Sequence, residues 1–140
     1  LSPTRFSLSV HNAIIGLWSI FRQDDSEMTA ISGAEDGLEH AVLEAQLMLN
    51  AGAQSVLLVI AEEQQPELYA PWITDVPAPY ALALQLQQGE QWSLNLSTNA
   101  QEETPVARPH ALSLLSLLLE QQSQLVHNVG VRSWHWHVKR

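Results

Sequence analysis

Hydrophobic positions along the chain fall into blocks of two different periods. Leu8 to Val10 reads as extended. Asn12 to Phe21 reads as a helix, because Ile14, Leu17, Trp18 and Phe21 recur at helical spacing. Gln23 to Glu27 is a polar turn, and Met28 to Ser32 a short buried strand leading straight into a second helix. Ser32 followed by Glu35 has the spacing of a capping box, in which hydroxyl and carboxylate satisfy free amides at a helix start. Leu38, Ala41, Val42, Ala45, Met48 and Leu49 then keep a 3.6-residue period, and Asn50 and Gly52 stop it. Ser55 to Ala61 is continuously apolar, the pattern of a strand buried on both faces of a parallel sheet. Residues 28–61 therefore read as a βαβ unit with a right-handed crossover.

Beyond it, Glu62 to Pro79 is a loop with Pro66, Pro71, Pro77 and Pro79, in which Tyr69 and Trp72 are candidate packing anchors. Tyr80 to Leu86 and Trp92 to Leu96 read as strands joined around Gly89 in a hairpin. Thr98 to Pro109 is a polar linker, His110 to Gln122 a leucine-rich helix and Val131 to Val138 an alternating strand. The expected fold is α/β, a mixed sheet with helices, in one domain over residues 1–140. The strands are too few for a complete doubly wound sheet, and the chain opens on Leu1 rather than methionine, so the first strands of the fold are expected upstream.

Charge narrows the partners. The net charge is −9, and residues 1–103 hold all but one of the acids with only Arg5 and Arg22 to offset them. Such a surface repels phosphate backbones, so nucleic acid is not an expected partner. No apolar run is long enough to span a bilayer. The chain contains no cysteine, which removes thiolate chemistry and cysteine metal sites and fits a reducing, cytoplasmic setting.

Two local patterns offer chemistry. His135 and His137 alternate with Trp134 and Trp136, so both histidines share one strand face; no third ligand is evident, and a plain packing strand is the simpler expectation. Ser32 stands at a strand-to-helix turn, where a hydrolase nucleophile sits, but both glycines of that elbow are alanines, Ala30 and Ala34. A serine hydrolase and an interaction module unrelated to acyl chemistry are the alternatives to the reading that follows.

The stretches SPTRFSLSVHNAIIGLWSI (2–20) and TAISGAEDGLEHAVLEAQLMLNAGAQSVLLVIAEE (29–63) resemble the amino-terminal half of β-ketoacyl synthases. Asn12 and Gly16 occupy the motif that opens a helix in that family, HAVLEA (40–45) matches the helix after the nucleophile, and Glu63 falls at the acidic end of a strand. Counting back from HAVLEA and forward from Asn12 both place the nucleophilic cysteine's position on Glu35. The chain is more similar still to the chain length factors of aryl polyene clusters, through its S-P-T-R-F-S-L-S-V-H-N start, the Glu35-Asp36 pair, the P-Y-A-L-A-L strand at 79–84 and the W-x-W of Trp134 and Trp136.

The resemblance implies a thiolase-like fold, the amino-terminal half of a ketosynthase. It also implies a subunit without catalytic residues or cofactor, paired as a heterodimer with a catalytic ketosynthase and meeting an acyl carrier protein only indirectly. In that family the segment around the Asn12 helix lies near the twofold interface and the partner's acyl channel. Arg5, Phe6, Leu8, Val10, Asn12, Ile14, Ile15 and Trp18 are therefore expected to face the partner or its pocket, with core packing the competing role for Leu8, Val10 and Ile14.

Overall fold

The computed structural model describes residues 2–33, 35–64, 66–69, 71, 78–98, 109–120 and 122–139. Trp72, Pro77 and most of the 98–109 linker lie outside them. Contacts divide the chain into two compact units, Leu1–Ala34 and Glu35–Arg140.

In the first unit, Ser2 and Pro3 start a helix that the hydrophobic pattern does not announce. Helix α1 spans Pro3–Ser7, with Ser2 Oγ accepting the Arg5 N–H at 3.2 Å and proline at the first helical position, where its missing N–H costs nothing. Leu8 continues in helical backbone and donates to Thr4 O. The expected extended segment at Leu8 to Val10 is therefore a turn following α1. Helix α2 spans Ala13–Arg22 behind Asn12, as its apolar spacing predicts, and ends on Gln23 in the left-handed region (φ 52°), whose N–H bonds Ser19 O. In the polar turn, the Ser26 hydroxyl and N–H both donate to the Asp24 carboxylate and hold its pKa below the ordinary value. Met28 to Ser32 forms no strand, and none of the described strands pairs with it. Without that partner the βαβ unit does not form.

In the second unit, helix α3 runs Gly37–Asn50 with Asp36 at its N-cap. Ser32 lies well outside it, so the Ser32–Glu35 capping box is not made. Leu38, Val42, Ala45 and Leu49 are buried as the period predicts, and Glu39 is buried beside them. The stop follows the sequence: Ala53 N–H bonds Met48 O across Gly52 at φ 115°.

Strand β1 (Val56–Glu62) pairs antiparallel with β2 (Tyr80–Leu86), in register Val56 with Leu86 through Glu62 with Tyr80. Among the described residues β1 has no parallel partner, and within this chain it is not buried on both faces. Leu58 points inward with Leu82 and Leu86, while Leu57 and Val59 are 56% and 57% exposed on the outer face. A second sheet holds β3 (Trp92–Ser97), β4 (Gln124–Val129) and β5 (Arg132–Val138) in the order β3-β5-β4, again all antiparallel. The expected β2–β3 hairpin is replaced by two separate sheets, because β3 pairs with β5 and sets Leu94 opposite Trp136 and Leu96 opposite Trp134. Helix α4 spans His110–Leu119 and buries Ala111, Leu114 and Leu117. The core joins these residues with the α3 face, Leu58, Leu82, Leu86 and Trp136. Tyr69, an expected anchor, is instead half exposed in a short 3-10 turn.

The β4–β5 hairpin turns on two residues, Gly130 and Val131. Gly130 has φ 55° and Val131 is not in the left-handed region, as in a type II′ turn, which needs glycine first. A Cβ at Gly130 would meet nothing within 4 Å, so its cost is the backbone's alone. Gly130→Ala is expected to destabilise by about 1–2 kcal/mol, read as a lower urea midpoint.

Candidate functional site

Three acidic residues cluster at the start of α3, and their environments differ. Glu35, at the expected nucleophile position, lies in the turn ahead of the helix and is exposed. Asp36 and Glu39 are three residues apart, hence on one helix face, and both are buried. A buried carboxylate must be hydrogen-bonded or paired. Strand β5 supplies the donors. Trp134 and Trp136 stand two apart and so face the same side, toward the carboxylates. Trp134 Nε1 donates to Asp36 Oδ2 at 3.1 Å, and Trp136 Nε1 donates to Glu39 Oε1 at 3.0 Å. Each tryptophan of the W-x-W motif thus serves one acid.

Asp36 has two further neighbours. The Arg132 Nε lies 2.8 Å from Oδ2, an ion pair whose N–H is not aligned for a hydrogen bond, and His40 Nε2 lies 3.5 Å away one helical turn on. Glu39 is enclosed completely. Its Oε1 also meets His110 Nε2 at 2.5 Å and His127 Nδ1 at 3.2 Å, the first from α4 and the second from β4. A carboxylate only accepts, so both ring nitrogens carry hydrogen when they face it. Burial alone would raise the Glu39 pKa. The hydrogen bonds from His110 and His127, with the charge those rings can carry, outweigh it and hold the carboxyl well below the usual range. The two rings stack, with centroids 3.6 Å apart and planes 17° from parallel. Glu39 Oε2 is buried with no hydrogen-bond partner.

This cluster draws on residues 39, 110, 127 and 136, and sequence reasoning did not assemble it. The histidines it had weighed lie elsewhere: His135 pairs with Ser97 Oγ at 3.0 Å, and His137 is exposed. Ser32 lacks the preceding strand that a nucleophile elbow requires. Glu63 is exposed just past β1.

The residues expected to face a partner all lie in the first unit. Arg5 and Phe6 are on α1, Leu8 and Val10 in the turn after it, Asn12 at the α2 cap, and Ile14, Ile15 and Trp18 on α2. Neither helix buries a residue; Ile14 is 78% exposed and Phe6 63%, while Ile15 is half-buried. Trp18 carries the Arg22 guanidinium 5.5 Å from its ring centre.

No curated protein matches the chain. Among solved structures, it is similar to a chain of the complex of the ketosynthase ApeO with its chain length factor ApeC from Xenorhabdus doucetiae. The TM-score is 0.85 and the identity 29%, over 97% of this chain and 57% of that one, which is less than two thirds of its length. The α/β arrangement of helices and antiparallel sheets is that of the thiolase-like ketosynthase amino-terminal domain. The family model of the β-ketoacyl synthase N-terminal domain matches residues 1–137, and the chain belongs to that family.

Proposed function

We propose that this chain is a non-catalytic ketosynthase-like subunit, a chain length factor, that pairs with an active β-ketoacyl synthase and shapes its acyl pocket. The observation that carries this reading is Glu35. By the resemblance it takes the position of the family's nucleophile, and it is exposed ahead of α3 in a chain without any cysteine. A condensing enzyme sets its cysteine at a helix start because the dipole and free amides favour the thiolate. A carboxylate there suits the same field, but transfer of an acyl group to it gives an anhydride that water destroys. The partner supplies the cysteine.

The first unit is the surface offered to that partner. Its apolar side chains, Phe6, Leu8, Val10, Ile14 and Trp18, are exposed in this chain and of the kind that interfaces bury. A wall of large side chains limits product length sterically: each further buried methylene gains only about 0.8 kcal/mol, whereas overpacking costs about 1–3 kcal/mol. The similarity to a ketosynthase–chain length factor complex supports the pairing. The resemblance to aryl polyene proteins points to iterative polyene extension in the cytoplasm. The acidic surface disfavours an acyl carrier protein, itself acidic, so carrier docking falls mainly to the partner, or else to the basic carboxy-terminal segment with Arg132, Lys139 and Arg140.

Co-expression with a candidate ketosynthase, read by size exclusion and by mass spectrometry of products, tests this. A stable heterodimer is expected. Ile14→Asp should weaken it by at least about 30-fold, the loss of one interface hot spot of about 2 kcal/mol, with the circular dichroism unchanged. Trp18→Ala should lengthen the products, and Glu35→Ala should leave chain extension intact. Failure to form a complex, or loss of chemistry in folded Glu35→Ala, would sink the proposal.

A further inference from the structure

We propose that Glu39, His110 and His127 form a binding site for one divalent transition-metal ion of the zinc class. The three side chains come from α3, α4 and β4, and their ligand-type atoms all lie within 4.8 Å of one another. Two imidazoles and a carboxylate are the donor set that zinc and its first-row neighbours take.

Two details go beyond proximity. Glu39 Oε2 is a carboxylate oxygen, fully buried and without a partner, while Oε1 accepts from three N–H groups at once. Leaving a charged oxygen bare in the core is costly, and a cation at that oxygen removes the cost. The Trp136 indole donates to the same carboxylate and fixes its orientation, as outer hydrogen bonds do for metal-ligating carboxylates.

Metal entry requires a defined rearrangement. Imidazole lone pairs lie in the ring plane, so two rings stacked 3.6 Å apart cannot both aim at one ion. His127 is held in β4 and 7% exposed, whereas His110 sits at the first residue of α4 with 10% of its side chain exposed. Rotation of His110 out of the stack opens the site and provides the entry path. Each neutral ring then carries its hydrogen on the nitrogen away from the ion, and a ring that was charged releases one proton. Three protein ligands leave a fourth position for water. The ion ties together two helices and a strand that no disulfide cross-links.

The test is metal binding by the intact protein after dialysis against a chelator. Zn²⁺ uptake is measured by plasma mass spectrometry and calorimetry, and Co²⁺ by visible absorption. One ion per chain is expected, with a higher melting temperature on Zn²⁺ addition. His110→Ala and Glu39→Gln should lower affinity at least about 10-fold, and the His135→Ala/His137→Ala double variant should leave it unchanged. Should a variant fail to fold, ¹⁵N-histidine NMR of the wild type decides: Zn²⁺ must shift Nε2 of His110 and Nδ1 of His127. Absence of stoichiometric uptake, unshifted ring nitrogens, or binding that follows His135 and His137 overturns the proposal.

Discussion

Glu39→Ala is expected to destabilise the chain by about 3–5 kcal/mol, the range for breaking a buried charged cluster by removing one partner. The loss has two sources. Removal of the glutamate leaves a void on the inner face of α3 and strands the N–H groups of His127 and Trp136 in the core, with the half-buried His110 beside them also losing its acceptor. Chemical denaturation of the chelator-treated protein at neutral pH reads the difference. Glu35→Ala, one turn earlier and exposed, should stay within about 0.5 kcal/mol of the wild type.

The advantage of wild type over Glu39→Ala should also depend on pH in one direction. The folded Glu39 pKa lies below the ordinary 4.5, so its contribution is complete above that pH and is lost as pH falls below it. The two denaturation curves should therefore approach each other in acid. A constant gap between pH 7 and pH 3 would show that Glu39 acts by volume alone.

Trp136→Ala should cost a similar amount, about 3–5 kcal/mol, for a buried indole in the core. Trp136 touches both kinds of interaction that hold the second unit. Its ring packs in the apolar core and lies 5.6 Å from Trp92, while its N–H holds Glu39. Trp136→Phe separates the two. It keeps most of the volume and removes the donor, and is expected to cost about 1–3 kcal/mol. Urea midpoints of the two variants give the division directly. Equal losses would mean that the hydrogen bond dominates and the ring's bulk is replaceable.

Local patterns in the sequence located most of the elements but not their pairing. The apolar periods of α2 and α3, the leucine-rich run of α4 and the apolar stretches at 56–62, 80–86, 92–97 and 132–138 are visible because each pattern is local. Helix α1 went unread, because its only signal, Ser2 and Pro3, is a cap without an apolar repeat. Strand β4 is hidden by His127 and Asn128, which interrupt its alternation, although the Gly130-Val131 turn marks its end. The continuous run 55–61 suggested two-sided burial, yet only one face is covered within the unit, because apolar residues alone do not say what packs on them.

The acid-histidine-tryptophan cluster was beyond reach for a different reason. Its members are separated by up to 97 residues, and no local spacing links them. One signal was present: Glu39 falls among Leu38, Val42 and Ala45 on the apolar face of α3, where a carboxylate demands a donor. The W-x-W motif carried the matching N–H groups.

The strand order β3-β5-β4 has a consequence for how the chain is made. The middle strand, β5, follows both of its neighbours in sequence. During synthesis β3 emerges with no partner in its sheet and waits through the making of α4 and β4, roughly 35 residues, or a few seconds at ribosomal speed. Only the hairpin of β4 and β5 can close that sheet, and it brings Trp134 and Trp136 to the waiting acids in the same movement. Through that interval the apolar side of β3, with Trp92 and Leu94, stands uncovered by its own sheet, and a chaperone or a ribosome-associated factor has its opportunity there.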